Sequence, residues 1–380
     1  MKLQINTAVF QDMVSKSVKG AGMNSDLFIT QLMSISLKDN ELTLITTDNN
    51  NYLYVKHPKV AGDDFNVVVT VDKFSKLISK LTCTDVTLEI PKAKKGELDK
   101  LVIHGNGKYV LELPYDEEGE LIDFPDPLSE SDSEGQFWNS AELKLTTVRH
   151  ILSTAKAALL VGKEDMCYSD YYMGDKVVAT DTLKICGIDI KTFDEPKLIS
   201  PQLMDLLDVM STEIIDVRYN EDTVIFETAD VTVYGKTDEG IDEYQIDAIS
   251  NLLNEQFPSS CKIEKQPLTQ MLDRLSLFVD VFDKNSVYLT FTKDGLMISS
   301  KQDSGSEIIP YKESENFTDY TCCLDIDLFK TQVKAYQADV LEILYGKENS
   351  IKFVLGNTKQ ILALADDDRA ESEEEAESEE

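Results

Sequence analysis

A chain of 380 residues with 42% apolar side chains is long enough for two or three domains, each able to bury its own core. No apolar run approaches the roughly 18 residues of a membrane span, and the opening Met1-Lys2-Leu3-Gln4-Ile5-Asn6 lacks the apolar stretch of a secretory signal, so a cytoplasmic protein with no membrane partner is expected. The formal charge of -33 would argue against a nucleic-acid partner, but residues 116–134 hold nine acids and no base and residues 366–380 ten acids and one arginine, which leaves about -15 for the rest.

Leu3 and Ile5 alternate as a first strand, and Val9, Phe10, Met13 and Val14 give the apolar stripe of a helix over 7–19, capped by Asn6 or Thr7 and stopped by Gly20. A hairpin over 42–56 follows, then a strand over 65–70. A second helix starts at Asp72, with Phe74, Leu77, Ile78 and Leu81 inward and Lys73, Lys76 and Lys80 on the other side. Strand patterns at 86–90, 101–103 and 109–113 end this block. Residues 116–138, acidic and carrying Pro125 and Pro127, read as a linker.

The order then repeats. A strand near Leu143, a helix over 146–159, a hairpin over 176–191, a helix over 201–210 capped by Ser200, and strands at 214–219, 224–227 and 231–234 form the second block. Residues 247–258 read as a second connector. The third block has helices over 267–281 and 327–336 and strands at 287–291, 296–299, 340–344, 351–354 and 361–364.

The hairpin carries the repeat most plainly. Lys-Val-Val-Ala-Thr-Asp-Thr-Leu-Lys-Ile-Cys-Gly-Ile-Asp-Ile-Lys over 176–191 is echoed by 42–56, around Thr47-Asp48, and more weakly by 296–311. Phe74, Leu203 and Phe329, one in each second helix, are 129 and 126 residues apart. The expected fold class is α+β: three similar domains per chain, two helices each on antiparallel sheets, over 1–125, 139–247 and 258–365, with 366–380 an acidic disordered tail.

Equivalent domains that pair sheet edge to sheet edge close into a ring, which removes their exposed edges. Three copies subtend part of a wide ring, so a head-to-tail dimer of six domains is the economical closed form, with helices lining the hole. Those helices carry Lys16, Lys19, Lys73, Lys76, Lys80, Arg149, Lys156, Arg274, Lys330 and Lys334, although acids outnumber bases 70 to 37 in the chain. Such a lining attracts phosphates without reading bases. The helix over 201–210 departs from it, carrying Asp205 and Asp208 and no base.

Enzymatic patterns are weak. Gly235-Lys236-Thr237 has Asp230 where a P-loop needs its first glycine, Gly105-Asn106-Gly107 lacks the third glycine of a dinucleotide loop, and neither GxSxG nor HExxH occurs. The six cysteines show no CxxC spacing, and Cys322-Cys323 suits a strand of reduced thiols. Histidines stand only at 57, 104 and 150, and Asp366–Asp368 reads as tail and not as a metal site. No catalysis, cofactor or metal is expected.

From Met1 to about Leu364 the chain resembles the bacterial DNA polymerase III beta subunit, the sliding-clamp family. The resemblance lies in the opening Met1-Lys2-Leu3, the Thr47-Asp48 hairpin, Leu113-Pro114 followed by Phe124-Pro125, and above all Val178-Ala179-Thr180-Asp181. It implies three DNA-clamp domains per chain, a homodimeric ring around double-stranded DNA held without regard to sequence, and DNA polymerase and the clamp loader as partners. It implies also an apolar cleft for short partner peptides, at Thr180, Thr182, Leu183, Lys184, Ile185, Ile241, Ile246, Ile361, Leu362 and Leu364. By the same resemblance the loop 162–172, with Lys163 and Tyr168, touches DNA, and Tyr109 and Leu111 face Leu277 and Phe278 across the subunit interface.

The departures are plain. Where the family has Gly-His-Arg-Leu after the Thr-Asp pair, this chain has Thr182-Leu183-Lys184-Ile185; for Phe-Pro-Asp-Tyr it has Ile241-Asp242-Glu243-Tyr244; for the terminal Met-Pro-Met it has Leu362-Ala363-Leu364, followed by the acidic tail. They mark a divergent copy, of the kind a phage would carry for its own polymerase, with a peptide preference of its own. A reading from another class is an acidic DNA mimic that occupies DNA-binding proteins, motivated by the charge; a mimic does not associate with DNA, whereas a loaded clamp stays on a circle.

Overall fold

The computed structural model describes residues 1–22, 26–92, 99–131, 137–161, 167–279, 285–302 and 304–365. Lys163 and the tail 366–380 lie outside the described residues.

The same element order runs three times. The first copy is β1 (Lys2–Asn6), α1 (Thr7–Ser17), β2 (Leu32–Lys38), β3 (Glu41–Thr47), β4 (Asn51–His57), β5 (Phe65–Thr70), α2 (Val71–Ile78), β6 (Asp85–Glu89), β7 (Lys100–His104) and β8 (Lys108–Glu112). A short helix α3 (Pro127–Ser131) stands in the acidic linker. The second copy is β9 (Asn139–Lys144), α4 (Leu145–Thr154), β10 (Tyr171–Met173), β11 (Val177–Thr180), β12 (Lys184–Ile188), β13 (Lys197–Ile199), α5 (Pro201–Leu206), β14 (Ile214–Tyr219), β15 (Thr223–Glu227) and β16 (Val231–Lys236). After α6 (Ile246–Asn254) the third copy is β17 (Ser259–Glu264), α7 (Lys265–Leu275), β18 (Ser286–Phe291), β19 (Leu296–Ser300), β20 (Ser306–Ile309), an extra β21 (Glu313–Glu315), β22 (Tyr320–Asp325), α8 (Ile326–Ala335), β23 (Val340–Tyr345), β24 (Ser350–Leu355) and β25 (Thr358–Ala363).

The strand after each second helix begins at Asp85, Ile214 and Val340, spacings of 129 and 126 residues that equal those of the helix residues Phe74, Leu203 and Phe329. All three of those residues are fully buried, so each would cost about 2–5 kcal/mol to truncate to alanine. Two of the helices, α1 and α8, start where a short polar side chain meets the first free amides. Asn6 accepts from the N–H groups of Ala8 and Val9 at 3.0 and 3.3 Å, and Asp325 from those of Asp327 and Leu328 at 2.8 and 3.0 Å.

The chain forms two compact units, one of residues 1–148 with 202–237, the other of 149–201 with the residues from 238 onward. Every strand pairing is antiparallel. In the first unit β1-β6-β7-β8 form one sheet and β5-β2-β3-β4-β16-β15-β14-β9 another; in the second, β13-β10-β11-β12-β25-β24-β23-β17-β21 form one and β20-β19-β18-β22 the other.

Beneath this lies one rule. In each copy the first, sixth, seventh and eighth strands of the repeat make one four-stranded sheet, and the fifth, second, third and fourth make another. The large sheets arise where the fourth strand of one copy pairs with the eighth of the next: β4 with β16, and β12 with β25. That leaves the eighth strand of the first copy, β8, and the fourth of the third, β20, as open edges.

Helices cover one face of these sheets. In the first copy α1 packs on α2 through Phe10 and Phe74, whose rings meet edge to face at 6.0 Å. In the third copy Leu268, Met271, Leu272 and Leu275 of α7 and Ile326, Phe329 and Val333 of α8 share one core with strands of both sheets. All six cysteines are free, and burial pushes the thiols of Cys186 and Cys261 up to about 12, which leaves both as inert packing groups.

Several segments differ from the sequence expectation, among them the strands β2 and β22, which it does not contain, and two around the start of the third copy. The stretch 247–258, read as a connector, contains α6, because Ile246, Ile249 and Leu253 recur at helical spacing and the last two are buried. The third copy opens on the strand β17, whose inward residues Ser259, Cys261 and Ile263 alternate with outward polar ones.

Candidate functional site

The hairpin β11–β12 is built by its Thr-Asp pair. The hydroxyl of Thr180 donates to the Lys184 carbonyl at 2.7 Å and accepts the Thr182 N–H at 3.1 Å, while Asp181 Oδ1 accepts the N–H groups of Leu183 and Lys184 at 3.0 and 2.6 Å. The same four bonds recur at Thr47 and Asp48, to Asn51 at 2.7 Å, Asn49 at 2.9 Å, and Asn50 and Asn51 at 3.0 and 2.7 Å. The pair therefore shapes a turn in both copies. The third residue of each turn is forced to positive φ: +93° at Asn49, which tolerates it, and +77° at Thr182, whose branched Cβ does not.

This turn stands beside an apolar cluster wholly within the second unit. Tyr172, Val178, Ile185, Leu198 and Ile361 come from β10, β11, β12, β13 and β25, and Tyr244, Ile249 and Leu253 lie over them. Gly187 on β12 admits that overlay, since a Cβ there would stand 2.4 Å from Leu253 Cδ1. Lysines fasten α6: Lys352 Nζ reaches the carbonyls of Leu253 and Glu255 at 2.6 and 3.0 Å, and Lys176 Nζ the Ser250 hydroxyl at 3.1 Å.

The residues singled out for a cleft divide by exposure. Ile185 and Ile361 face each other across β12 and β25 and are buried with Thr180, Lys184 and Leu362. Lys184 spends its charge internally, on the Ala157 carbonyl at 2.7 Å and on Asp181 at 3.1 Å. Ile241, Ile246 and Leu364 are half-buried, Thr182 is exposed, and Leu183 is 52% exposed at the tip of the turn. Tyr168 sits on a short turn with its ring 5.1 Å from that of Tyr244, packed and half-buried. Sequence reasoning missed Asp170 and Asp238, which share this neighbourhood. Burial, and then the charge of Asp238, pushes Asp170 up to about 7.

Eight of the ten helical bases fall into two groups. Lys16 bridges Asp12 and Asp230 at 3.0 and 3.3 Å, Lys76 pairs with Asp72, Arg274 with Glu307, and Lys330 with Asp273. Lys19, Lys73, Lys80 and Lys334 are exposed and make no ion pair among the described residues. Arg149 and Lys156 are exposed on α4 and on the turn that follows it.

At the open edges, β8 presents Val110, 49% exposed, between half-buried Tyr109 and buried Leu111. Around β20, Ile308 is 54% exposed and Leu277 and Phe278 are 80% and 54% exposed, large apolar groups that a soluble chain normally covers.

No protein-family model and no curated relative matches the sequence. Solved structures do. The beta subunit of the DNA polymerase of Streptococcus pyogenes is similar at a TM-score of 0.81 with 14% identity, over 97% of this chain and 100% of that one. The DNA polymerase sliding clamp of Bacillus subtilis is similar at 0.79 with 15% identity, over 97% and 99%, and the DNA polymerase III beta subunit of Thermotoga maritima at 0.77 with 16% identity, over 96% and 99%. From its first strand to its last, this chain has the fold of the DNA sliding clamps, the beta subunits of DNA polymerase III.

Proposed function

We propose that the chain is a DNA sliding clamp: two copies close head to tail into a ring around duplex DNA in the cytoplasm, and the ring tethers a replicative DNA polymerase without catalysis of its own. Each copy of the repeat is then one clamp domain, over 1–125, 139–247 and 258–365, with 366–380 an acidic tail. The observation that supports this best is the pair of unused edges. Both internal joins use a fourth strand against an eighth, and the chain ends its series with one unpaired eighth strand, β8, and one unpaired fourth strand, β20. A second copy satisfies both edges by the rule already used twice, and covers Val110, Ile308, Leu277 and Phe278.

Within such a ring the helical bases meet phosphate, with Lys163 and Tyr168 on the loop of the middle domain. Lys19, Lys73, Lys80 and Lys334 are available without breaking an ion pair, and the exposed pairs of Lys76 and Arg274 are cheap to exchange, since surface salt bridges contribute about 0–1 kcal/mol each. Contacts of this kind are weak and screened, so the ring holds DNA by enclosure and slides. The cleft around Thr180, Thr182, Leu183, Lys184, Ile185, Ile241, Ile246, Ile361, Leu362 and Leu364 receives peptides of the polymerase and the clamp loader, with Leu183 and the half-buried isoleucines as the contact surface and the rest as its floor. The fold likeness lends no support to a DNA mimic. Sedimentation tests closure: at micromolar concentration the expected species has twice the chain mass, and a monomer would reject the ring.

A further inference from the structure

We infer that the cleft of the second unit takes a cationic peptide, an apolar segment flanked by lysine or arginine. The inference rests on the cleft reading above and goes beyond it by naming the chemistry of the partner. The half-buried apolar groups Cys167, Tyr168, Ile241 and Ile246, packed against the cluster under α6, form the accessible surface. The segment that carries the two isoleucines runs Asp238-Glu239-Gly240-Ile241-Asp242-Glu243-Tyr244-Gln245-Ile246-Asp247, five acids and no base.

Glu239, Asp242, Glu243 and Asp247 are exposed and none of them makes an ion pair among the described residues. Three described bases that reach this neighbourhood are committed elsewhere: Lys184 to Ala157 and Asp181, Lys176 to Ser250, and Lys352 to the end of α6. Asp175 and Asp247 add their charge around Tyr172, and Glu243 and Asp170 theirs around Cys167. An apolar floor beside a rim of exposed carboxylates that make no ion pair among the described residues selects by charge. A basic flank gains screened attraction from several carboxylates at once, whereas an acidic flank is repelled by all of them.

The test measures, on the full-length protein, the binding of fluorescent synthetic peptides with one apolar core and either lysine or glutamate flanks, at low and at high salt. A third peptide keeps the lysine flanks around a serine-substituted core. The lysine-flanked apolar peptide is expected to bind about tenfold tighter than the glutamate-flanked one at low salt, as two or three rim pairs of modest strength would give, and the gap is expected to shrink with salt. Asp242→Lys combined with Glu243→Lys should close or reverse that gap while leaving the fold intact by circular dichroism. Equal binding of the two flanked peptides, or a gap unmoved by charge reversal, overturns the inference while leaving the cleft in place. Loss of neither peptide on Leu183→Asp with Ile241→Asp, or equal binding of the serine-core peptide, overturns both it and the cleft reading, because attraction to the acidic chain alone would then explain the data.

Discussion

The unused edges make a prediction fine enough to fail. Superposing the repeat on its own strand pairings, Tyr54 of β4 stands opposite Thr232 of β16, and its counterpart Gly187 of β12 opposite Lys359 of β25. The equivalent positions at the open edges are Ser306 on β20 and Lys108 on β8, both exposed. In a closed ring Ser306 of one copy therefore faces Lys108 of the other, and Gly305, where an added Cβ would stand 3.3 Å from Phe278 Cγ, faces Tyr109. Directly opposed antiparallel residues have Cα atoms about 4.5–5.5 Å apart, inside the roughly 4.4–6.8 Å that a disulfide spans. A chain carrying Lys108→Cys and Ser306→Cys should thus convert on mild oxidation into a covalent dimer with two bridges, seen as a reducible band at twice the chain mass in denaturing electrophoresis. Moving one cysteine by a residue, to Glu307→Cys, turns its side chain to the other face of the strand and should abolish the product. The native cysteines are buried except Cys83 and Cys167, which are half-buried, so each single variant serves as the background. No dimer from the in-register pair, or equal yield from the shifted pair, would refute the reasoning.

Three further changes probe the second unit. Thr182→Gly should raise stability to urea by about 1 kcal/mol, because a branched residue leaves the left-handed region while the Thr180 and Asp181 hydrogen bonds remain; an unchanged or lower midpoint would show that the turn holds no strain. Asp170 has a folded value near 7 against an ordinary 3.8, so the folded state binds the extra proton, its contribution is intact below about pH 4 and stability falls as pH rises through 7. Asp170→Asn should be about 1–3 kcal/mol more stable than the parent at about pH 8 and equal to it at about pH 4, and a pH-independent difference would contradict that sign. Leu183→Asp, at an exposed site, should weaken binding of a polymerase-derived peptide without unfolding the chain; unaltered binding would remove Leu183 from the cleft.

Much of the architecture was legible because the repeat multiplies weak signals: three apolar stripes at matched spacing mean more than one. The short strands β10 and β13 have three residues each and show no periodicity to read. The helix α6 did carry a signal in Ile246, Ile249 and Leu253, obscured by its place between two blocks and its lack of a polar cap. Side-chain roles were harder. The sequence could put lysines on helices, but not pair Lys16 with Asp230, which is distant in the chain and adjacent in the fold. The resemblance could propose positions for a cleft, but not separate buried Lys184 and Leu362 from exposed Leu183, since that depends on which edge β25 joins.

The measurement that bears most directly on holding DNA by enclosure is release on linearisation. Protein loaded on a closed circular duplex should remain bound through gel filtration at a salt concentration that screens phosphate contacts, and should leave when a single cut opens the circle. Retention on the linear molecule, or loss from the intact circle at the same salt, would contradict it.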